Sequence, residues 1–267
     1  MSESDSKTAR IQQLFRGALE DGDLSARSVN ALTLDADIGA QIQAGMGIAP
    51  DDVPASEVVL VTMMPDDSGS IRFGGNAEAV RGGHNLVLEA LTQSKQREDV
   101  LVHTRYLNGF VLYPYRKLAD AARMTSQNYD PSLGTPLYDQ TAVLLGTVLA
   151  KSREFAAAGV PARTVTLIIT DGADMHSTQQ TPASVRAIVD DMHRMESHIV
   201  AAMGIADGST DFHKVFREIG LPDQWILAPG NTQSEVRKAF QAFSQSAVRA
   251  SQGAGSFSHA ALGGFAN

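Results

Sequence analysis

Apolar residues along this chain gather in two ways, as short dense runs and as stripes at helical spacing. Val58 to Met64, Val165 to Thr170 and His198 to Ile205 are dense runs rich in β-branched residues. Such runs suit strands buried on both faces of a parallel sheet. Trp225 to Ala228 predicts a further strand. Between these runs the apolar residues recur every three or four positions. Val80, Leu86-Val87 and Ala90-Leu91 mark the inner face of a helix over 77–95, in which Gly82-Gly83 costs up to about 2 kcal/mol relative to alanine. Leu137, Leu144-Leu145, Val148 and Phe155 mark a long helix over 137–158, which Gly159-Val160-Pro161 stops. Further helices are predicted over 183–195 and 211–219. A last one, packing Val236, Phe240 and Phe243 inward, is opened by Thr232 and Glu235 as a capping box.

One connection differs. Two β-rich runs, 100–107 and 110–115, are separated by Asn108-Gly109, whose residues take positive φ in a tight hairpin. The second of these strands is therefore antiparallel to its neighbour, and Pro114 places it at the sheet edge. Strand and helix otherwise alternate from 57 to 250. The expected fold is α/β: a doubly wound, Rossmann-like, mostly parallel six-stranded sheet with one antiparallel edge strand and helices on both faces. Residues 1–56 form an N-terminal extension. Its first ten residues are polar and read as disordered, and a short amphipathic helix is expected over 8–20. Leu32, Leu34, Ile38, Ile42 and Met46 invite burial, so 24–55 is expected to wrap the main domain rather than dock on a partner. Residues 251–267 are rich in Gly, Ser and Ala and predict a flexible tail.

Composition narrows the functional classes. There are 22 Lys+Arg against 30 Asp+Glu, a net charge of −8. That balance opposes binding to nucleic acid or to an anionic membrane. Without cysteine there are no disulfides or thiolate metal sites. No apolar stretch is long enough to span a bilayer, and the start lacks a signal-peptide core. A cytoplasmic protein is expected.

The candidate chemistry sits where the first dense run ends, at Pro65, and gives way to Asp66-Asp67-Ser68-Gly69-Ser70. In open α/β sheets this end of a strand is where ligands bind. Asp66, Ser68 and Ser70 alternate, so in a tight turn one carboxylate and two hydroxyls can converge. Thr135 precedes the long helix, and Asp171 ends the strand 165–170. Five oxygen donors of mixed charge suit a hard dication, most naturally Mg²⁺, with Mn²⁺ or Ca²⁺ as substitutes. They leave a coordination position open, and the ion would attract an acidic group from another molecule.

Asp-x-Ser-x-Ser after an apolar strand, Gly134-Thr135-Pro136-Leu137 before a helix, and Thr170-Asp171-Gly172 closing a strand resemble the von Willebrand factor A (vWA) domain of bacterial type. In that family these three pieces build the metal-ion-dependent adhesion site. The resemblance covers roughly 57–250. It implies Asp66, Ser68, Ser70, Thr135 and Asp171 as metal ligands, no catalytic residues, and a protein partner supplying a Glu or Asp to the metal. It also implies an association with a MoxR-type AAA+ ATPase or a stress- or tellurite-resistance-like system, for which this chain would be an adaptor.

Plainer readings stand beside these. Asp66 and its serines can satisfy a turn, and Thr135 can be a helix N-cap. Asp67 occupies the variable position and is expected to face solvent. Asp174 reads as a turn or helix-start acid. No histidine pair shows ligand spacing, Met63-Met64 and Met192/Met195 read as core, and Trp225 reads as a core anchor. Two rival functions are weighed against this one. One is a Mg²⁺-dependent phosphoryl-transfer enzyme with Asp66 as nucleophile. Against it, haloacid-dehalogenase-like enzymes want a second acid where Ser68 stands, and receiver-like proteins want a Lys where Ala228-Pro229 stands. The other is RNA binding, which the acidic balance opposes.

Overall fold

Burial on both faces explains the dense runs. In the computed structural model, which describes residues 3–34 and 36–265, they become β1 (Val58–Met64), β4 (Ala162–Thr170) and β5 (His198–Gly204). Alternate residues of each strand enter opposite cores. Val59, Val61 and Met63 of β1, Val165, Leu167 and Ile169 of β4, and Ile199, Ala201 and Met203 of β5 face one layer. Met64, Ile168, Val200 and Ala202 face the other. The hairpin strands are β2 (Val100–Arg105) and β3 (Val111–Lys117), and β6 (Ile226–Leu227) completes six strands in the order β3-β2-β1-β4-β5-β6. All pairings are parallel except β2 with β3, and Pro114 lies on that edge strand as expected. The strand order reverses between β1 and β4, so the carboxyl ends of these two neighbours flank the crevice where such sheets bind ligands.

One face is covered by α4 (Asn76–Thr92), α8 (Gln233–Ala250) and α9 (Ala254–Gly263), and the other by α5 (Leu137–Ala157), α6 (Pro182–Arg194) and α7 (Phe212–Glu218). The glycine pair inside α4 has a packing reason. A Cβ on Gly83 would stand 2.0 Å from the Phe240 ring of α8, so the two helices meet at a distance only glycine allows.

The extension is more regular than its sequence suggested. It forms α1 (Glu3–Glu20), α2 (Ala26–Leu32) and α3 (Ala36–Gly45). The helical part therefore starts well before residue 8, and of the stretch expected to be disordered only residues 1–2 lie outside the described residues. Ile11, Phe15, Leu32, Ile38, Ile42 and Met46 join the core beside α5 and α6, whereas Leu34 is exposed. Buried Lys151 donates to the carbonyl of Ile48 and to Glu154, tying the end of the extension to α5.

The expected flexible tail is corrected as well. Phe257 of α9 is buried, Trp225 Nε1 donates to the Ala261 carbonyl, and Phe265 packs edge-on against Trp225 at 5.0 Å. Two aromatic residues among small ones are enough to dock a short helix when a buried ring awaits them.

Candidate functional site

The turn after β1 is organised by the Asp66 carboxylate, which is fully buried. Its Oδ1 accepts from the Ser68 N–H at 2.7 Å, and its Oδ2 accepts from the Thr170 hydroxyl at 2.7 Å and the Asp171 N–H at 3.3 Å. The ends of β1 and β4 are thus joined through one side chain. Ser70 Oγ donates to Asp171 Oδ1 at 2.6 Å and lies 3.0 Å from Ser68 Oγ. Four of the five sequence-derived residues form a single hydrogen-bonded oxygen network.

Thr135 reaches the same rim by its backbone. Ser68 and Leu133 form a parallel bridge, and the Gly69 N–H donates to the Leu133 carbonyl at 3.0 Å. The Thr135 N–H donates to Nδ1 of His176 at 2.8 Å, and its carbonyl accepts from Met175 and His176. Thr135 is not the N-cap of α5, which is Pro136. The first amides of α5 are capped from another loop: Tyr138 N–H donates to Asp174 Oδ1 and Ser177 Oγ, and Asp139 N–H to Ser177 Oγ. Asp174 is therefore a helix-start acid, though for a helix remote in sequence.

Asp67 does not face solvent. It is buried, and its Oδ1 accepts from the Asn108 backbone at 2.9 Å and the Asn108 side chain at 2.8 Å. The same side chain donates to the Gly134 carbonyl at 2.7 Å. Asn108 so ties the hairpin to two site loops. The hairpin turn differs from expectation for this reason. Of its residues only Gly109 has positive φ, at 91°. The Gly109 N–H returns to the Tyr106 carbonyl and the Tyr106 N–H to the Phe110 carbonyl, which is a three-residue loop closed by a left-handed glycine.

Sequence reasoning missed Tyr129, Asn108 and His176. Tyr129 is buried, donates to the Asp66 carbonyl, and packs on Tyr106 at 5.3 Å. Their roles at the site carry no local sequence signal, because each acts across a long loop.

Burial dominates the electrostatics. It raises the Asp66 carboxyl, against hydrogen bonds from Ser68 and Thr170 that lower it. Burial raises Asp171 to about 6, with Asp66 adding to the effect and Ser70 opposing it. Among the described residues no three Asp, Glu or His side chains gather as a metal cage. The donor set is instead two carboxylates with hydroxyls, all hard oxygen. That chemistry fits Mg²⁺.

A scan of protein-family models gives no match, and a search of curated proteins gives none. Solved structures are similar. The pilus adhesin SpaC from Lactobacillus rhamnosus GG, in its open conformation, is 14% identical with a TM-score of 0.54 over 73% of this chain and 30% of the adhesin. Proximal thread matrix protein 1 from the mussel byssus is 14% identical at a TM-score of 0.49, over 72% of this chain and 47% of that one. The SpRpn10 VWA domain is 8% identical at 0.45, over 69% of this chain and 93% of that domain. The chain thus spans about a third (30%) of the adhesin's length, and at such identities the likeness concerns the fold alone. Sheet order, antiparallel edge strand and flanking helices together give this chain a doubly wound, Rossmann-like α/β fold.

Proposed function

We propose that this chain is a protein-interaction module that holds a divalent cation, Mg²⁺ by preference, at the rim of its sheet and captures a partner through an acidic side chain. The observation that carries the reading is the oxygen network Ser68–Ser70–Asp171–Asp66 across the switch point of the sheet. Asp66, Ser68, Ser70, Thr135 and Asp171 would hold the ion, which when bound supplies a positive charge with a position open to an outside oxygen. The protein's part is positional. Thr170 and the Asp171 amide orient Asp66, Tyr129 and Asn108 lock the turn beneath it, and His176 fixes the Thr135 loop.

No chemistry of its own is assigned to the chain. The partner class that the vWA resemblance suggests is a MoxR-type AAA+ ATPase, with the chain as its adaptor.

The test is thermal unfolding with and without Mg²⁺, joined to partner capture. A ligand at about 100 times its Kd should stabilise the native state by about 2.7 kcal/mol. Asp66→Ala, Ser68→Ala and Thr135→Ala should each abolish that gain and the Mg²⁺-dependent capture. Capture that survives both EDTA and these substitutions would refute the reading.

A further inference from the structure

The loops that carry the oxygen network also carry apolar side chains that the fold leaves in solvent. Phe73, Phe110, Leu133 and Met175 are 75%, 61%, 56% and 79% exposed, and they are four of the seven large apolar residues exposed among those described. Each stands on a different loop of the rim. Phe73 follows Ser70, Leu133 precedes Thr135, Met175 follows Asp171, and Phe110 follows Asn108. Backbone hydrogen bonds fix these loops to one another: Gly69 to Leu133, Met175 to Thr135, and Leu133 N–H to the Asp67 carbonyl. The Phe110 ring is stacked on Tyr106 at 5.8 Å. The loops that carry these exposed side chains are thus tied to one another by main-chain bonds, which lowers the ordering cost of binding. Clustered exposed apolar groups of this kind mark interaction surfaces.

The collar also constrains charge. Its basic neighbour, Arg72, is engaged by Asp130 at 2.8 Å. A carboxylate entering here would draw its countercharge from the proposed dication. Water displaced by the collar lowers the local dielectric and strengthens that attraction.

We infer that the partner is a protein segment whose Glu or Asp lies between large apolar residues, the acid reaching the proposed dication and its neighbours covering Phe73, Phe110, Leu133 and Met175. The inference rests on the proposed metal-dependent capture and adds the apolar half of the recognition.

The full chain, immobilised in Mg²⁺, is challenged with a displayed library of random peptides. Winning sequences should carry an acid flanked by Leu, Ile, Met or aromatic residues. Synthetic versions of the winners should bind roughly tenfold more weakly to Met175→Ser, Leu133→Ser and Phe110→Ser, while the Mg²⁺-induced thermal shift stays unchanged. Winners with an acid and no apolar preference would overturn the collar and leave the metal reading standing. A chain that shows no Mg²⁺ response and selects no peptide overturns both. Light scattering that shows a dimer broken by the same substitutions would assign the collar to a second copy of this chain and overturn the proposal.

Discussion

The adjacent glycines of α4 should respond in opposite directions to the same small change. Both lie in the helix interior at helical φ, and alanine at either is worth up to about 1 kcal/mol in helix propensity. At Gly82 a Cβ meets nothing within 4 Å, so Gly82→Ala should realise that gain. For a chain of this size the melting temperature would rise by about 2–4 °C. At Gly83 the Cβ would lie 2.0 Å from Phe240 Cδ2 and 2.3 Å from Cε2 and Cγ. The ring is fully buried in the core shared by α4, α8 and the sheet, so it has no space to retire into. Overpacking of this kind costs about 1–3 kcal/mol, occasionally more. Set against the same propensity gain, Gly83→Ala should lose about 1–2 kcal/mol net. Urea unfolding reads both as shifts in midpoint at unchanged slope. If Gly83→Ala were as stable as the parent, the close approach of α4 to α8 would be refuted, together with the packing reason given for an unfavourable residue pair.

Two further outcomes follow from buried polar groups. His84, His103 and His198 are buried, and burial holds them at about 4, 3 and 4 against an ordinary 6.5. The unfolded chain then binds more protons than the native one between those values, so their contribution is complete above pH 6.5 and is lost as pH falls toward 4. Each costs on the order of 2 kcal/mol by pH 5. Asp66 and Asp171, raised by burial, act in the opposite sense. His84→Gln therefore isolates one group: its urea midpoint should fall less steeply between pH 6.5 and 4.5 than the parent's, and an unchanged slope would contradict the assignment. Asn108→Ala should cost about 1–3 kcal/mol, because buried Asp67 and the Gly134 carbonyl both lose a donor. It should also speed hydrogen exchange at the Leu107 and Gly109 amides, whereas a solvent-facing Asp67 would make the change neutral.

The parts of this fold legible in the sequence were those where burial is uniform. β1, β4 and β5 are buried along their lengths, so composition alone marks them. β6 has only two paired residues, and its sequence promised four. The Asn-Gly pair announced a hairpin correctly and its turn geometry wrongly. Propensity describes Asn in isolation, but Asn108 spends its side chain on Asp67 and Gly134 and keeps an ordinary φ. Asp67 misled for a related reason, since a charged residue in a turn is normally solvated and this one is satisfied by a loop 41 positions away. Asp66, Ser68, Ser70 and Asp171 meet because adjacent parallel strands end together, a relation that spacing and strand order contain. The helical extension and tail were obscured by small residues and short lengths, which leave amphipathic signals weak until a core is present to receive them.

The C-terminal helix has a consequence for self-association. A sheet that ends in a strand as short as β6 leaves main-chain groups at its margin, and such margins invite pairing with a neighbouring molecule. Here the Gln224 carbonyl is taken by the Phe265 amide, and Trp225, which leads into β6, is held by Phe265 and by the Ala261 carbonyl of α9. The C-terminal helix thereby covers the approach to that margin, and removal of the last dozen or so residues should raise light scattering relative to the full chain; unchanged scattering would contradict the role.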